Sequence, residues 1–198
     1  MMHNSNNDDE ILIAYMSNQY DFSYYSKIKQ TIILDYLQKQ NAAFHAENDQ
    51  FRILTTKYGK PYVEWDRQSK CASPVHFSVS HSKDYWIMAV SSNPVGMDIE
   101  WAKERSYKSE CSIFFHEAEQ LYLEKRPWEL TKIWSAKESY SKYLGIGMLK
   151  SPQFFTVIEN DHLMNRIGTI DILPLYYFEG YHCFICGQIK NYRLVKYD

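Results

Sequence analysis

The sequence predicts an α+β fold of two similar α+β halves packed as a pseudo-twofold pair, with a ligand cleft between them. Three observations carry that expectation. A strand, a helical segment and closing strands follow one another through 1–94 and again through 95–198. The segments YWIMAV (85–90) and YHCFIC (181–186) sit at comparable places near the ends of the two halves, each opening on Tyr and continuing mostly apolar. Between them Asn93-Pro94 interrupts the strand pattern, since proline cannot donate to a ladder. A cleft between two such units is a preferred ligand site.

The elements follow in order. Residues 1–10 are polar and are expected to lack order, and 11–16 reads as a short strand. Ile28, Ile32, Ile33, Tyr36 and Leu37 recur at helical spacing and predict a helix over 24–40. A strand at 51–55 is followed by the turn KYGKP, marked by Gly59 and Pro61, and by a loop at 71–74. VHFSVS and YWIMAV form a hairpin joined by HSKD. In the second half the pattern gives a strand at 95–100, helices near 114–124 and 128–144, and strands at 153–159, 170–178 and 181–188.

Composition excludes several classes. Hydrophobic residues at 45% and charged residues at 23% are ordinary globular usage. A net charge of -2 argues against a polyanion binder, so no nucleic-acid partner is expected. No apolar run approaches the ~20 residues that span a bilayer, and the polar start has no signal-peptide core, so a cytoplasmic protein without membrane attachment is expected. Seventeen Tyr and five Trp point to thick aromatic core layers or to rings presented to a partner. Cys71, Cys111, Cys183 and Cys186 are too unevenly spaced for a disulfide framework.

Chemistry concentrates in four stretches. In VGMDIEW, Asp98 and Glu100 are two apart on a strand and share a face. Taken alone, such a pair is either a strand end open to water or a site that demands a cation, because two carboxylates ~4 Å apart repel by roughly 4 kcal/mol at an effective dielectric near 20. In IWSAKESYSKYLG, Ile133, Ala136, Tyr140 and Tyr143 form the core stripe of a helix. Trp134, Glu138, Ser141 and Lys142 share another sector, where Glu138 and Lys142 are either a surface pair or part of a charged site. His81 lies between two serines at the end of a strand, open to a structural or a functional reading. Cys183 and Cys186, three apart on a strand, point to opposite faces and fit core packing better than one shared ion.

FSVSHS, VGMDIE and WSAKESYSKYLG, in this order and with KYGKP upstream, resemble the Sfp-type 4′-phosphopantetheinyl transferases over about 58–145. The resemblance implies transfer of phosphopantetheine from coenzyme A to a serine of an apo acyl or peptidyl carrier protein of fatty acid, polyketide or nonribosomal peptide synthesis. It implies Mg²⁺, with Mn²⁺ able to substitute, at Asp98, Glu100 and Glu138. Glu138 or a metal-bound water would be the base and Lys142 would face the diphosphate. Lys60, Ser80 and His81 would line the coenzyme A pocket, and Thr31, with Lys27 and Lys29, would reach the 3′-phosphate. The N-terminal half (1–94) would then hold coenzyme A and the C-terminal half (95–198) the metal and catalytic residues, in a monomer. Two features depart from the family pattern: Met97 stands where Ile or Val is usual, and Leu34 where a Gly is often found. Two other classes are compatible with the sequence: a silent coenzyme A or carrier-binding module, and a small CxxC metal or redox protein. For carrier docking, the segment FFHEAEQLYLEKRPW offers Phe114, Phe115, Leu121 and Tyr122 beside Lys125 and Arg126, although the Phe pair fits a core equally well.

Overall fold

The computed structural model describes residues 10–40, 44, 50–66, 69, 73–102, 107, 109–147 and 153–197. Residues 1–9 and Cys71 lie outside them, whereas Glu10 already belongs to the first strand. β1 (Glu10–Ser17) buries Ile11, Leu12, Ile13 and Ala14 in succession because both of its faces are covered. Asp21 starts α1 (Phe22–Gln40), its carboxylate accepting from the Tyr24 amide at 2.9 Å, one of the first-turn donors a helix cannot satisfy itself. β2 (Phe51–Thr55) and β3 (Pro61–Trp65) form a hairpin through the KYGKP turn, where Gly59 takes a φ of +87° that favours glycine. β4 (His76–Ser82) and β5 (Tyr85–Ser91) make the expected second hairpin, and β6 (Val95–Trp101) starts directly after Pro94.

A 3₁₀ segment, Ser109–Phe114, leads into α2 (Glu117–Lys125), and another, Pro127–Glu129, into α3 (Leu130–Leu144). The remaining strands are β7 (Ile158–Glu159), β8 (His162–Leu163), β9 (Arg166–Ile167), β10 (Ile170–Pro174), β11 (Tyr181–Gly187) and β12 (Asn191–Lys196). Two four-stranded sheets result, ordered β12-β1-β5-β4 and β6-β11-β10-β9.

The chain is thus α+β, with helices on the outer faces of two stacked sheets. α1 lays Ile32, Ile33, Tyr36 and Leu37 on one face of the first sheet, against Leu12, Phe77, Trp86 and Met88. The other face of that sheet, with Ile13 and Ile87, meets Met97, Ile99 and Ile185 of the second sheet. Ile133 and Ala136 of α3 and Leu123 of α2 close the far side over Phe184 and Cys186. Alternation along each strand feeds these layers, Cys183 going to one core and Cys186 to the next.

The structure differs from expectation in five places. The second half's first helix starts only at Glu117, where His116 and Glu119 form a reciprocal cap, and the expected helix from 128 opens with a 3₁₀ turn at Pro127. The strand expected over 153–159 shrinks to Ile158–Glu159. Its preceding backbone serves the helices instead: Phe155 O accepts from Lys137 Nζ at 2.6 Å and Val157 N donates to Glu119 Oε1 at 2.9 Å. The strand expected over 170–178 stops at Pro174. β12, which no alternation announces, pairs in parallel with β1 and so brings the last strand into the first sheet.

Candidate active site

Gly96 sets the position of α3. A Cβ there would strike the Ser139 carbonyl and the Tyr143 backbone, so only glycine lets the helix lie directly on β6. Gly145, at φ +73°, ends α3 in a left-handed cap. Lys60 then reaches across from the KYGKP turn and donates to the Lys142 and Tyr143 carbonyls at 2.7 and 2.9 Å. A cation there satisfies orphan carbonyls at the negative end of the helix, and burial lowers its ammonium pKa.

On the helix face so placed, Lys142 Nζ meets Asp98 Oδ1 at 2.7 Å, and Ser80 Oγ donates to the same oxygen at 2.7 Å. Asp98 is only 3% exposed, and its Oδ2 is buried with no hydrogen-bond partner among the described residues. Glu100, two residues on along the same face, accepts from Ser82 Oγ at 3.3 Å. Glu138 stands one turn before Lys142 on α3 and is half-buried. Burial pushes its carboxyl up to about 7, Lys142 opposes the rise, and the charges of Asp98 and Glu100 add to it. The three carboxylates therefore feel one another. Among the described residues, however, no three of them are drawn close enough to hold a metal ion as they stand.

The other expected residues are less gathered. His81 alternates to the face of β4 opposite Ser80 and Ser82 and is exposed. Thr31 is exposed on α1, where its hydroxyl turns back onto the Lys27 carbonyl at 3.4 Å. Lys27 is exposed, and Lys29 is half-buried with its pKa lowered by burial. Two features carry no separate signal in sequence. One is the role of Lys60 as a helix cap. The other is Lys137, fully buried against Glu119 at 2.7 Å, which ties α3 to α2 next to Glu138. Helical spacing sets Lys137 beside Ile133 and Tyr140, but nothing local names Glu119 as the partner it meets there.

A cavity of about 220 Å³ opens beside the acid group, lined by Lys60, Pro61, Ser78, Val79, Glu138 and Lys142 among others. It joins the KYGKP turn, the outer strand β4 of the first sheet and the C-terminal half of α3. The family model described as the 4′-phosphopantetheinyl transferase superfamily matches residues 94–186, from the start of β6 into β11. Over 187 residues the chain is 30% identical to the 4′-phosphopantetheinyl transferase gsp of Aneurinibacillus migulanus, covering 88% of this chain and 74% of that one. The chain belongs to this superfamily. Two similar proteins agree. The 4′-phosphopantetheinyl transferase Sfp of Bacillus subtilis (strain 168) is 28% identical over 174 residues, covering 78% of this chain and 73% of its own. A Bacillus subtilis 4′-phosphopantetheinyl transferase is 34% identical over 106 residues, covering 51% of this chain and 44% of its own. As an enzyme of this superfamily, the chain carries Asp98, Glu100, Glu138 and Lys142 all inside the matched span. The CxxC pair has no metal-site geometry, since its two thiols are buried in different cores and burial raises the pKa of both.

Proposed function

We propose that this transferase moves the 4′-phosphopantetheine group of coenzyme A onto a serine hydroxyl of an apo acyl or peptidyl carrier protein, with Mg²⁺ held by Asp98, Glu100 and Glu138. One observation carries the reading: a buried carboxylate oxygen, Asp98 Oδ2, lacks a partner among the described residues beside a second carboxylate, Glu138, that burial and like charge have driven up to about 7. Such a site stores negative charge out of water and is stabilised by a hard cation, for which an all-oxygen donor set is suited. When bound, Mg²⁺ supplies the positive charge that lets a diphosphate approach three carboxylates.

The chain's own groups supply the rest. Glu138 accepts the proton of the carrier serine as its oxygen attacks the β-phosphorus. The bond from that phosphorus to the bridging oxygen breaks, and adenosine 3′,5′-bisphosphate leaves with the electron pair. Lys142 offsets the negative charge on the departing phosphate. Lys60 and His81 flank the nucleotide, Ser80 serves it by holding Asp98, and Thr31, with Lys27 and Lys29 on α1, meets the 3′-phosphate. In this reading 1–94 and 95–198 act as two similar halves with the active site in the cleft between them. The enzyme works as a monomer in the cytoplasm, where coenzyme A is available.

The test incubates the chain with coenzyme A, Mg²⁺ and a panel of apo carriers and weighs the carriers by mass spectrometry. A phosphopantetheine increment that disappears in EDTA and returns with Mg²⁺ or Mn²⁺ is expected. Bound coenzyme A without an increment on any carrier would support a silent binding module instead, and full transfer by stripped protein in EDTA would remove the metal from the reading.

A further inference from the structure

β6 is the edge strand of its sheet, so the N–H groups on its free side have no strand partner. Those of Met97, Ile99 and Trp101 each donate to a serine hydroxyl of β4: to Ser78 at 3.0 Å, Ser80 at 3.4 Å and Ser82 at 3.0 Å. The acceptors alternate along β4 because side chains two apart share a face, while Phe77 and Val79 on the opposite face pack with the core under α1. A hydroxyl that accepts still has a proton to give. Ser78 gives its proton to the Met97 carbonyl at 3.4 Å, Ser80 to Asp98 at 2.7 Å and Ser82 to Glu100 at 3.3 Å.

We infer that these serines form a seam between the two sheets in which Ser80 and Ser82 are positioning residues. Each clamps β6 through a backbone amide and aims the neighbouring carboxylate, whereas Ser78 clamps without aiming. The inference rests on Asp98 and Glu100 being the divalent-cation ligands proposed above. Asp98 is also held by Lys142, so part of its orientation survives loss of Ser80. Glu100 has one more rotatable bond than Asp98, and Ser82 restricts that longer side chain. The motif's alternate hydroxyls thus do for the acids what outer hydrogen-bond partners do for ligands in many metal sites, fixing them before the ion arrives.

The experiment compares the whole chain with Ser78→Ala, Ser80→Ala, Ser82→Ala and Ser82→Thr. It reads amide hydrogen exchange by NMR and Mn²⁺ binding by electron paramagnetic resonance, without coenzyme A or carrier. Each alanine is expected to speed exchange at its own partner amide. Ser82→Ala is expected to weaken Mn²⁺ binding about tenfold, Ser80→Ala by less than that but more than about twofold, Ser78→Ala by less than about twofold, and Ser82→Thr is expected to restore both readings. Unchanged exchange at Met97, Ile99 and Trp101 would overturn the seam. Equal loss of Mn²⁺ affinity in Ser78→Ala and Ser82→Ala would overturn the aiming role, leaving only a fold contact. If the wild-type chain binds no Mn²⁺, the cation reading of the site falls, and the exchange rates still decide the seam.

Discussion

Glu138 carries a penalty that an opposing cation would lift. Its folded pKa, about 7, lies above the ordinary value of 4.5, so the folded protein holds this proton more tightly than the unfolded chain does. Stability is therefore lost as pH rises from 4.5 to about 7, and the full penalty stands above that. In metal-free protein, Glu138→Gln is expected to raise stability by on the order of 2 kcal/mol at pH 8 and by almost nothing at pH 4. Urea unfolding in EDTA at the two pH values checks this, and an equal gain at both would contradict it. The same variant should slow transfer at least about a hundredfold, since it keeps the shape and removes the base. Cys183→Ser and Cys186→Ser should keep activity and lose about 1–3 kcal/mol, because each puts a hydroxyl into an apolar core. Loss of a stoichiometric zinc in either variant would reverse that assignment. Asp98, Glu100, Glu138 and Lys142 were legible in sequence because their spacing is local to one strand or one helix. The capping by Lys60 was not, because its partners are 82 and 83 residues away.

At the level of elements, α3 on β6 makes the site, and Gly96 is the contact that allows it. Gly96→Ala should cost about 3 kcal/mol or more, since the obstructing atoms are backbone and cannot rotate away. It should lower kcat at the same time by displacing Glu138 and Lys142 from Asp98. A urea midpoint and a transfer rate both equal to wild type would show that the helix has room to shift. Periodicity located α1, α3 and the β4-β5 hairpin because their apolar faces point at one core each. It failed at 153–159, where two apolar pairs flank Thr156 but the carbonyl of Phe155 and the amide of Val157 are taken by Lys137 and Glu119. The charged partners lie on helices distant in sequence, so nothing local announces that the ladder will end.

For the molecule as a whole, the last strand matters more than its composition suggests. β12 lines β1 in parallel, Arg193 Nε meets Glu10 at 2.9 Å, and Tyr197 OH donates to Asp35 of α1 at 2.9 Å. Removing 191–198 should expose β1 as an edge and lower the melting temperature by at least about 10 °C, with aggregation on heating. A melting temperature within a few degrees of the full chain would show β12 to be dispensable. The proposed carrier-docking segment is also changed by tertiary context. Phe115 and Tyr122 are core, Leu121 is exposed, and Lys125 and Arg126 both pair with Asp161. Lys125→Glu with Arg126→Glu should therefore reduce stability as well as any carrier affinity, which separate measurements of melting temperature and carrier KM would resolve.

The α+β class, most strands and helices and the acidic and basic residues proposed for the site were read from sequence alone, because alternation, helical spacing and short motifs act within a few residues. Tertiary structure decided which neighbours those residues meet. It put Ser80 and Lys142 on the same oxygen of Asp98, left the other oxygen without a partner among the described residues and raised the pKa of Glu138. Burial and charge coupling are sums over everything nearby, and two strands and a helix had to converge before those sums had values.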